Sequence, residues 1–128
     1  VVEHESEFIS WKNFKSYPLP IQNPFPVVMG GVKGKIFKRT AQLGNGWFAP
    51  TGEPGELKEH MTHLREECDA IGRDLSEIEI TCMWPGTGGE EFLGELEAVG
   101  VGRVVIPMMG QGDPVERLTA IAEEVIKP

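Results

Sequence analysis

The chain has 128 residues, enough for one domain with a real core and too few for a second. Its 20 acidic residues against 12 basic ones, a net charge of −8, argue against nucleic acid or an anionic membrane as the main partner. No apolar run approaches the roughly 20 residues of a transmembrane helix, and the charged opening segment is not a signal peptide.

Residues 1–11 alternate enough for two short antiparallel strands turning about Glu5-Ser6. Residues 12–23 form an extended connector, because Pro18 and Pro20, with Pro24 just beyond, forbid a helix. The first parallel strand is expected over 26–29. A helix over 32–43 follows, with Ile36, Phe37, Thr40 and Ala41 inward and Gly44 closing it. Residues 47–49 form the second strand and 50–55 a loop. The clearest helix then places Leu57, Met61, Leu64, Cys68 and Ile71 on one stripe, with Gly72 past its end. The third strand spans 78–83 and a Pro/Gly loop 84–89. A short helix over 90–99 is interrupted by Gly94, and the fourth strand spans 103–107. The last helix opens with Asp113 as N-cap, Pro114 at its first position and Glu116 at the capping-box position.

The glycine pair Gly30-Gly31 ends a strand and precedes a helix, so it sits at the C-terminal face of the sheet, where α/β barrels bind ligands. Two glycines there let backbone N–H groups approach an anion, with Lys33 or Lys35 adding charge. The same glycines also suit a tight βα turn that merely allows close packing, and the residues alone leave both open. Trp47, Met83 and Trp84 close strands at the same face, as pocket walls or as aromatics sealing it. His60 and His63 share a helix side with Glu56 and Glu67, a solvated outer edge rather than a metal centre. His4 has no assigned role. Cys68 and Cys82 lack metal spacing and read as reduced core thiols of a cytoplasmic protein. Ser6, Ser10, Ser16 and Ser76 have no nucleophile-elbow context, and no catalytic residue or metal ligand is assigned.

Three motifs carry a family resemblance: Pro24-Phe25-Pro26-Val27-Val28-Met29-Gly30-Gly31, Lys38-Arg39-Thr40-Ala41-Gln42-Leu43-Gly44-Asn45-Gly46-Trp47, and Ala70-Ile71-Gly72-Arg73-Asp74. Together they resemble the bacterial luciferase-like monooxygenases, which are flavin- or deazaflavin-dependent (β/α)8 barrels. The segment 98–106 looks like that family's last barrel strand, and Glu3-His4-Glu5-Ser6-Glu7-Phe8 like the hairpin before its fifth strand. The resemblance covers nearly the whole chain but only the family's C-terminal half. It implies that Gly30, Gly31, Val32, Lys33 and Trp47 contact the cofactor, FMN or a deazaflavin coenzyme, with the first four at its phosphate. Val32 stands where the family has a small hydroxyl or amide residue, and Lys33 and Gly34 are also departures.

The expected fold is α/β, half of a TIM-type (β/α)8 barrel: four parallel strands, each followed by a helix, behind a short N-terminal hairpin. A complete barrel needs roughly 250 residues. The half barrel would leave an interior face open, lined by Val27, Val28, Phe48, Ile78, Ile80, Cys82, Val104 and Ile106. Exposing it costs about 25 cal/mol per Å² of apolar area, so a homodimer or a complementary N-terminal half barrel is expected as partner. Two functions follow: the C-terminal half of a flavin- or deazaflavin-dependent oxidoreductase or monooxygenase that needs a second half or a second copy for activity, or a non-catalytic half-barrel module that homodimerises and could bind a phosphorylated small molecule. A dinucleotide-binding half is weaker, because Gly30-Gly31-x-x-Gly34 is not the G-x-G-x-x-G pattern.

Overall fold

The computed structural model describes residues 1–108 and 112–126. The chain opens with an antiparallel hairpin of β1 (Val2–Glu5) and β2 (Ser10–Phe14). After an irregular, proline-rich segment come β3 (Val28–Gly30), α1 (Ile36–Leu43), β4 (Gly46–Ala49) and α2 (Pro54–Asp69). A 3-10 turn (Leu75–Glu77) leads to β5 (Glu79–Met83), α3 (Gly89–Val99), β6 (Arg103–Val105) and α4 (Pro114–Val125). The last four strands form one parallel sheet in the order β3-β4-β5-β6. Each crossover between neighbours carries a helix, as parallel pairing requires. The expected α/β layout is therefore the observed one.

Period-two alternation decides which side chains the helices cover. Cross-strand partners share a face, and Trp47 pairs with Ile80 while Ala49 pairs with Cys82. Trp47, Ala49, Ile80 and Cys82 are fully or nearly fully buried, in one cluster with Leu57 and Leu64 of α2 and Leu96 of α3. Val104, partner of Cys82, and Ile106 also pack against this cluster. Ile78, Ile80, Cys82, Val104 and Ile106 therefore do not line the open face, as expected from sequence, but lie beneath the helices. The open face carries Val28, Phe48, Thr81, Met83 and Val105, with an Arg103–Glu79 ion pair of 2.8 Å at its N-terminal end.

Several boundaries shift for local reasons. The hairpin reverses over residues 6–9 rather than at Glu5-Ser6, because Ser6 closes that loop. Its hydroxyl donates to the Ile9 carbonyl at 3.0 Å, and its N–H does so at 2.9 Å. β2 therefore extends into the stretch expected to be connector. α1 begins at Ile36 rather than at 32, because Gly34 adopts φ +67°, which no helix residue can share. α2 buries Leu57, Met61, Leu64 and Cys68 as expected, but Ile71 is half exposed. The helix has already ended: Arg73 N–H bonds the Cys68 carbonyl and Gly72 takes φ +69°, a left-handed helix stop. α3 runs unbroken through Gly94. β6 stops at Val105 rather than continuing to 107.

Candidate functional site

The C-terminal ends of β3, β4, β5 and β6 lie along one edge of the sheet, and the glycine turn leaves this edge from β3. Gly30 is the last residue of β3, pairing with Phe48, and Gly31 follows with φ +107°. That value favours glycine strongly. A Cβ on Gly31 or Gly34 would meet nothing within 4 Å, so the space above both is open rather than filled by close packing.

One hydrogen bond orients the turn. The buried indole of Trp47 donates its Nε1–H to the Gly31 carbonyl at 2.9 Å. In a trans peptide the C=O and the next N–H point in opposite directions. With the Gly31 carbonyl drawn toward the core, the Val32 N–H is directed away from it, toward the open side of the loop. Among the described residues, the N–H groups of Val32, Lys33 and Gly34 donate to no hydrogen bond. The Val32 side chain packs against the core, while Lys33, Gly34 and Lys35 are exposed. Because α1 starts late, these N–H groups belong to the loop, and the helix's own free donors begin at Ile36.

Charge concentrates here. No Asp or Glu occurs between Glu7 and Glu53, whereas Lys33, Lys35, Lys38 and Arg39, four of the 12 basic residues, lie within residues 33–39. In a chain of net charge −8 this gathers basic side chains on the segment that carries the glycine turn, with Glu66 and Glu67 of α2 as the acidic groups of the adjoining cleft. Beside the turn, Val32, Gly34, Phe37, Lys38 and His63, with the carboxylates Glu66 and Glu67, line a cleft of about 340 Å³. A roomier cavity of about 640 Å³ lies at the opposite end of the sheet, by Asn45, Ser76 and Gly102. Its position at the N-terminal ends of the strands makes it the less suitable of the two for ligand chemistry.

The structure places Trp47 differently from the rest of the expected set. Its ring lies on the helix side, 5.5 Å from Phe37 and 6.0 Å from His60 between centroids, so it acts on the turn through Gly31. Trp84 is likewise buried, donating to the Thr87 carbonyl at 2.9 Å and closing the loop after β5. His60 is half-buried against Phe37, while His63 is exposed and pairs with Glu66 at 3.6 Å. No group of three or more metal-ligating side chains occurs among the described residues.

Two motif residues have structural duties that sequence reasoning missed. The Arg73 guanidinium donates to the Ala41 carbonyl at 2.7 Å, satisfying the C-terminal end of α1, and pairs with Glu77 at 3.2 Å. Asn45 accepts the Val27 N–H on its side chain at 3.0 Å and donates its own N–H to the Val27 carbonyl at 2.7 Å, fastening the entrance of β3 to that of β4. The signal was present as Asn45 set between Gly44 and Gly46 and as Arg73 directly after Gly72. Asp74 caps the 3-10 turn by accepting from the Ser76 N–H at 2.8 Å, which holds its carboxyl below the ordinary range. Burial pushes the Cys68 thiol up, against the opposing pull of Arg73, and raises the Cys82 thiol as well. Among the described residues, no helix is long and apolar enough to cross a membrane.

Comparison with known proteins adds three observations. The sequence profile of luciferase-like monooxygenases matches residues 1–85. The structure is similar to that of coenzyme F420-dependent tetrahydromethanopterin reductase from Methanopyrus kandleri, with TM-score 0.75 and 15% identity. That similarity covers 98% of this chain and 57% of the reductase chain, so the present chain spans little more than half the length of its relative. A weaker likeness, TM-score 0.47 at 18% identity over 91% of this chain and 30% of the other, is to DmoA from Hyphomicrobium sulfonivorans. No curated protein sequence matches the chain significantly.

Proposed function

We propose, for a chain that belongs to the luciferase-like monooxygenase family, that it is the C-terminal half of a flavin- or deazaflavin-dependent oxidoreductase, and that the glycine turn holds the cofactor's phosphate. The observation that carries this is the Trp47–Gly31 hydrogen bond, which leaves the Val32 N–H directed outward beneath open space. The residues present fit an anionic group: Val32, Lys33 and Gly34 offer backbone N–H donors, and Lys33, Lys35 and Lys38 offer charge. Val32 supplies no side-chain donor, so backbone and lysines carry the whole task. When bound, the cofactor would supply the redox chemistry, and this chain's part is to bind and orient it.

The open sheet face supports the need for a second half. Val28 and Val105 stand exposed on β3 and β6, which are the edge strands of the sheet among the described residues. A complementary N-terminal half barrel or a second copy of this chain would add strands to both edges. Two free, buried thiols suit a reducing, cytoplasmic setting.

Titration with FMN and with a deazaflavin coenzyme, followed by cofactor fluorescence, tests the proposal. Binding that is lost in Gly31→Asp is the expected result. Absence of binding below millimolar concentration favours the second reading, a non-catalytic half-barrel module. That reading draws support from Trp47, whose ring lies on the helix side of the sheet rather than at its ligand-facing edge.

A further inference from the structure

Three strands meet at the dipeptide Asn45-Gly46, where β4 begins. The N–H groups of Asn45 and Gly46 both donate to the Val27 carbonyl, at 2.7 and 3.2 Å. The Asn45 side-chain oxygen accepts the Val27 N–H at 3.0 Å, and the Asn45 carbonyl accepts the Glu79 N–H at 3.0 Å. The peptide unit joining the two residues is thus held by the entrance of β3 on one side and by β5 on the other. Close approach demands the glycine. A Cβ on Gly46 would lie 3.1 Å from the Glu79 carbonyl oxygen and 3.2 Å from a methyl carbon of Val28.

That demand creates a chemical weakness. After an asparagine, a glycine nitrogen reaches the side-chain amide carbon with the least hindrance, because no Cβ shields it. Asn45 is exposed, and its Nδ2 group, the leaving group of such an attack, donates to no group among the described residues. The chain's two other asparagines are poorer sites. Asn23 precedes Pro24, whose nitrogen carries no proton to lose, and Asn13 precedes the bulky Phe14.

We propose that Asn45 is a site of spontaneous deamidation, and that the pairing of β3 with β4 is the gate that keeps it closed. In the reaction the Gly46 nitrogen gives its proton to solvent and bonds to Cγ of Asn45. The Cγ–Nδ2 bond breaks, ammonia leaves, and a cyclic succinimide forms. Water then opens the ring at either carbonyl, to aspartate or to isoaspartate, with no change of oxidation state. In the folded chain the Gly46 proton is engaged by Val27, and the Asn45 side chain is fixed through its oxygen. β3 is the weak partner in this arrangement. It has three residues, is an edge strand among the described residues, and follows an exposed, proline-rich segment. Its release frees the Gly46 N–H and the Asn45 side chain together, while the helices stay folded. The isoaspartyl product carries an extra backbone carbon before Gly46, so the Gly46–Glu79 and Trp47–Ile80 pairs no longer meet in register.

Peptide mass mapping of the full chain, held at pH 8 and 37 °C, tests this by following aspartate and isoaspartate at each asparagine. In unfolding guanidinium chloride, Asn45 should convert well ahead of Asn13, and Asn23 should not convert. In buffer, Asn45 should convert at least about tenfold more slowly than in denaturant. Denaturant below the unfolding midpoint should raise the Asn45 rate in step with hydrogen exchange of the Asn45 and Gly46 amides, while far-UV circular dichroism stays native. Gly46→Ala, compared in full denaturant so that its folding does not matter, should suppress conversion. Equal rates in buffer and denaturant, or a native rate that does not follow amide exchange, would remove the gate. An Asn45 no faster than Asn13 in denaturant, or conversion untouched by Gly46→Ala, would remove the site.

Discussion

The indole of Trp47 and the carbonyl of Gly31, 16 positions apart in sequence, meet in a hydrogen bond of 2.9 Å beneath the glycine turn. Trp47 is fully buried and braced by Phe37, so the turn is referenced to the core rather than to solvent. Trp47→Phe keeps the aromatic packing and deletes the donor, leaving a half-buried carbonyl unpaired. The expected cost is about 1–3 kcal/mol in urea unfolding. Anion or cofactor affinity should fall together with stability, and a fall in stability alone would mean the turn's orientation does not matter for binding.

Gly31 separates backbone strain from charge. At φ +107° any side chain is strained, yet a Cβ there has free space, so Gly31→Ala should cost roughly 1–3 kcal/mol through the backbone alone. Gly31→Asp shares that penalty and adds a carboxylate where the anion is proposed to sit. Calorimetric titration with FMN should show weakened binding in the Ala variant and none in the Asp variant. Equal, undiminished affinity in both would make the turn purely structural.

Arg73 ties the end of α1 to the segment after α2. Removing it in Arg73→Ala strands the Ala41 carbonyl and should cost about 1.5–3 kcal/mol, read from the shift in urea midpoint. Arg73→Lys should recover only part, because one ammonium cannot span both Ala41 and Glu77 as the guanidinium does. Full recovery by Lys would show that charge rather than the fork geometry matters.

Asp74 sets a pH dependence. Its carboxyl is held low in the folded chain, chiefly by the Ser76 N–H, so its contribution is fully present above the unfolded value of about 3.9. It is lost as pH falls through the lower folded value. The stability gap between wild type and Asp74→Ala should therefore be constant near neutrality and close on acidification. A gap unchanged down to pH 2 would contradict the cap.

Both thiols should resist alkylation. Burial raises Cys68 and Cys82 and blocks access, so iodoacetamide at pH 8 should label neither in the folded protein and both after denaturation. Rapid labelling of Cys82 in the native state would mean the helices do not cover its side of β5.

Much of the architecture was legible because short-range patterns specify it. The stripe of Leu57, Met61, Leu64 and Cys68 is a four-three-four spacing that only a helix can bury on one side. Asp113-Pro114 announces α4, and the Asp113 carboxylate does accept the Val115 N–H at 2.7 Å. Gly34 was harder, since a glycine near a predicted helix start can be helical or left-handed, and its φ of +67° displaced that start to Ile36. The candidate site was legible only as a location, the glycines at the end of β3. Their orientation depends on Trp47, which from sequence read as a pocket wall or as an aromatic sealing the sheet's ligand-facing edge.

By itself, then, the sequence determined the order of strands and helices, the parallel sheet and the position of the glycine turn. These follow from periodicity, punctuation by glycine and proline, and the need of parallel strands for helical crossovers. Tertiary structure alone decided which face of each strand the helices cover, placing Ile80 and Cys82 beneath them and Phe48 and Met83 on the open side. It also decided that Trp47 lies under the glycine turn. The physical reason is that a strand reverses its faces with a shift of one residue. An all-apolar strand carries no local mark of which parity is inward, so only packing against distant helices settles it.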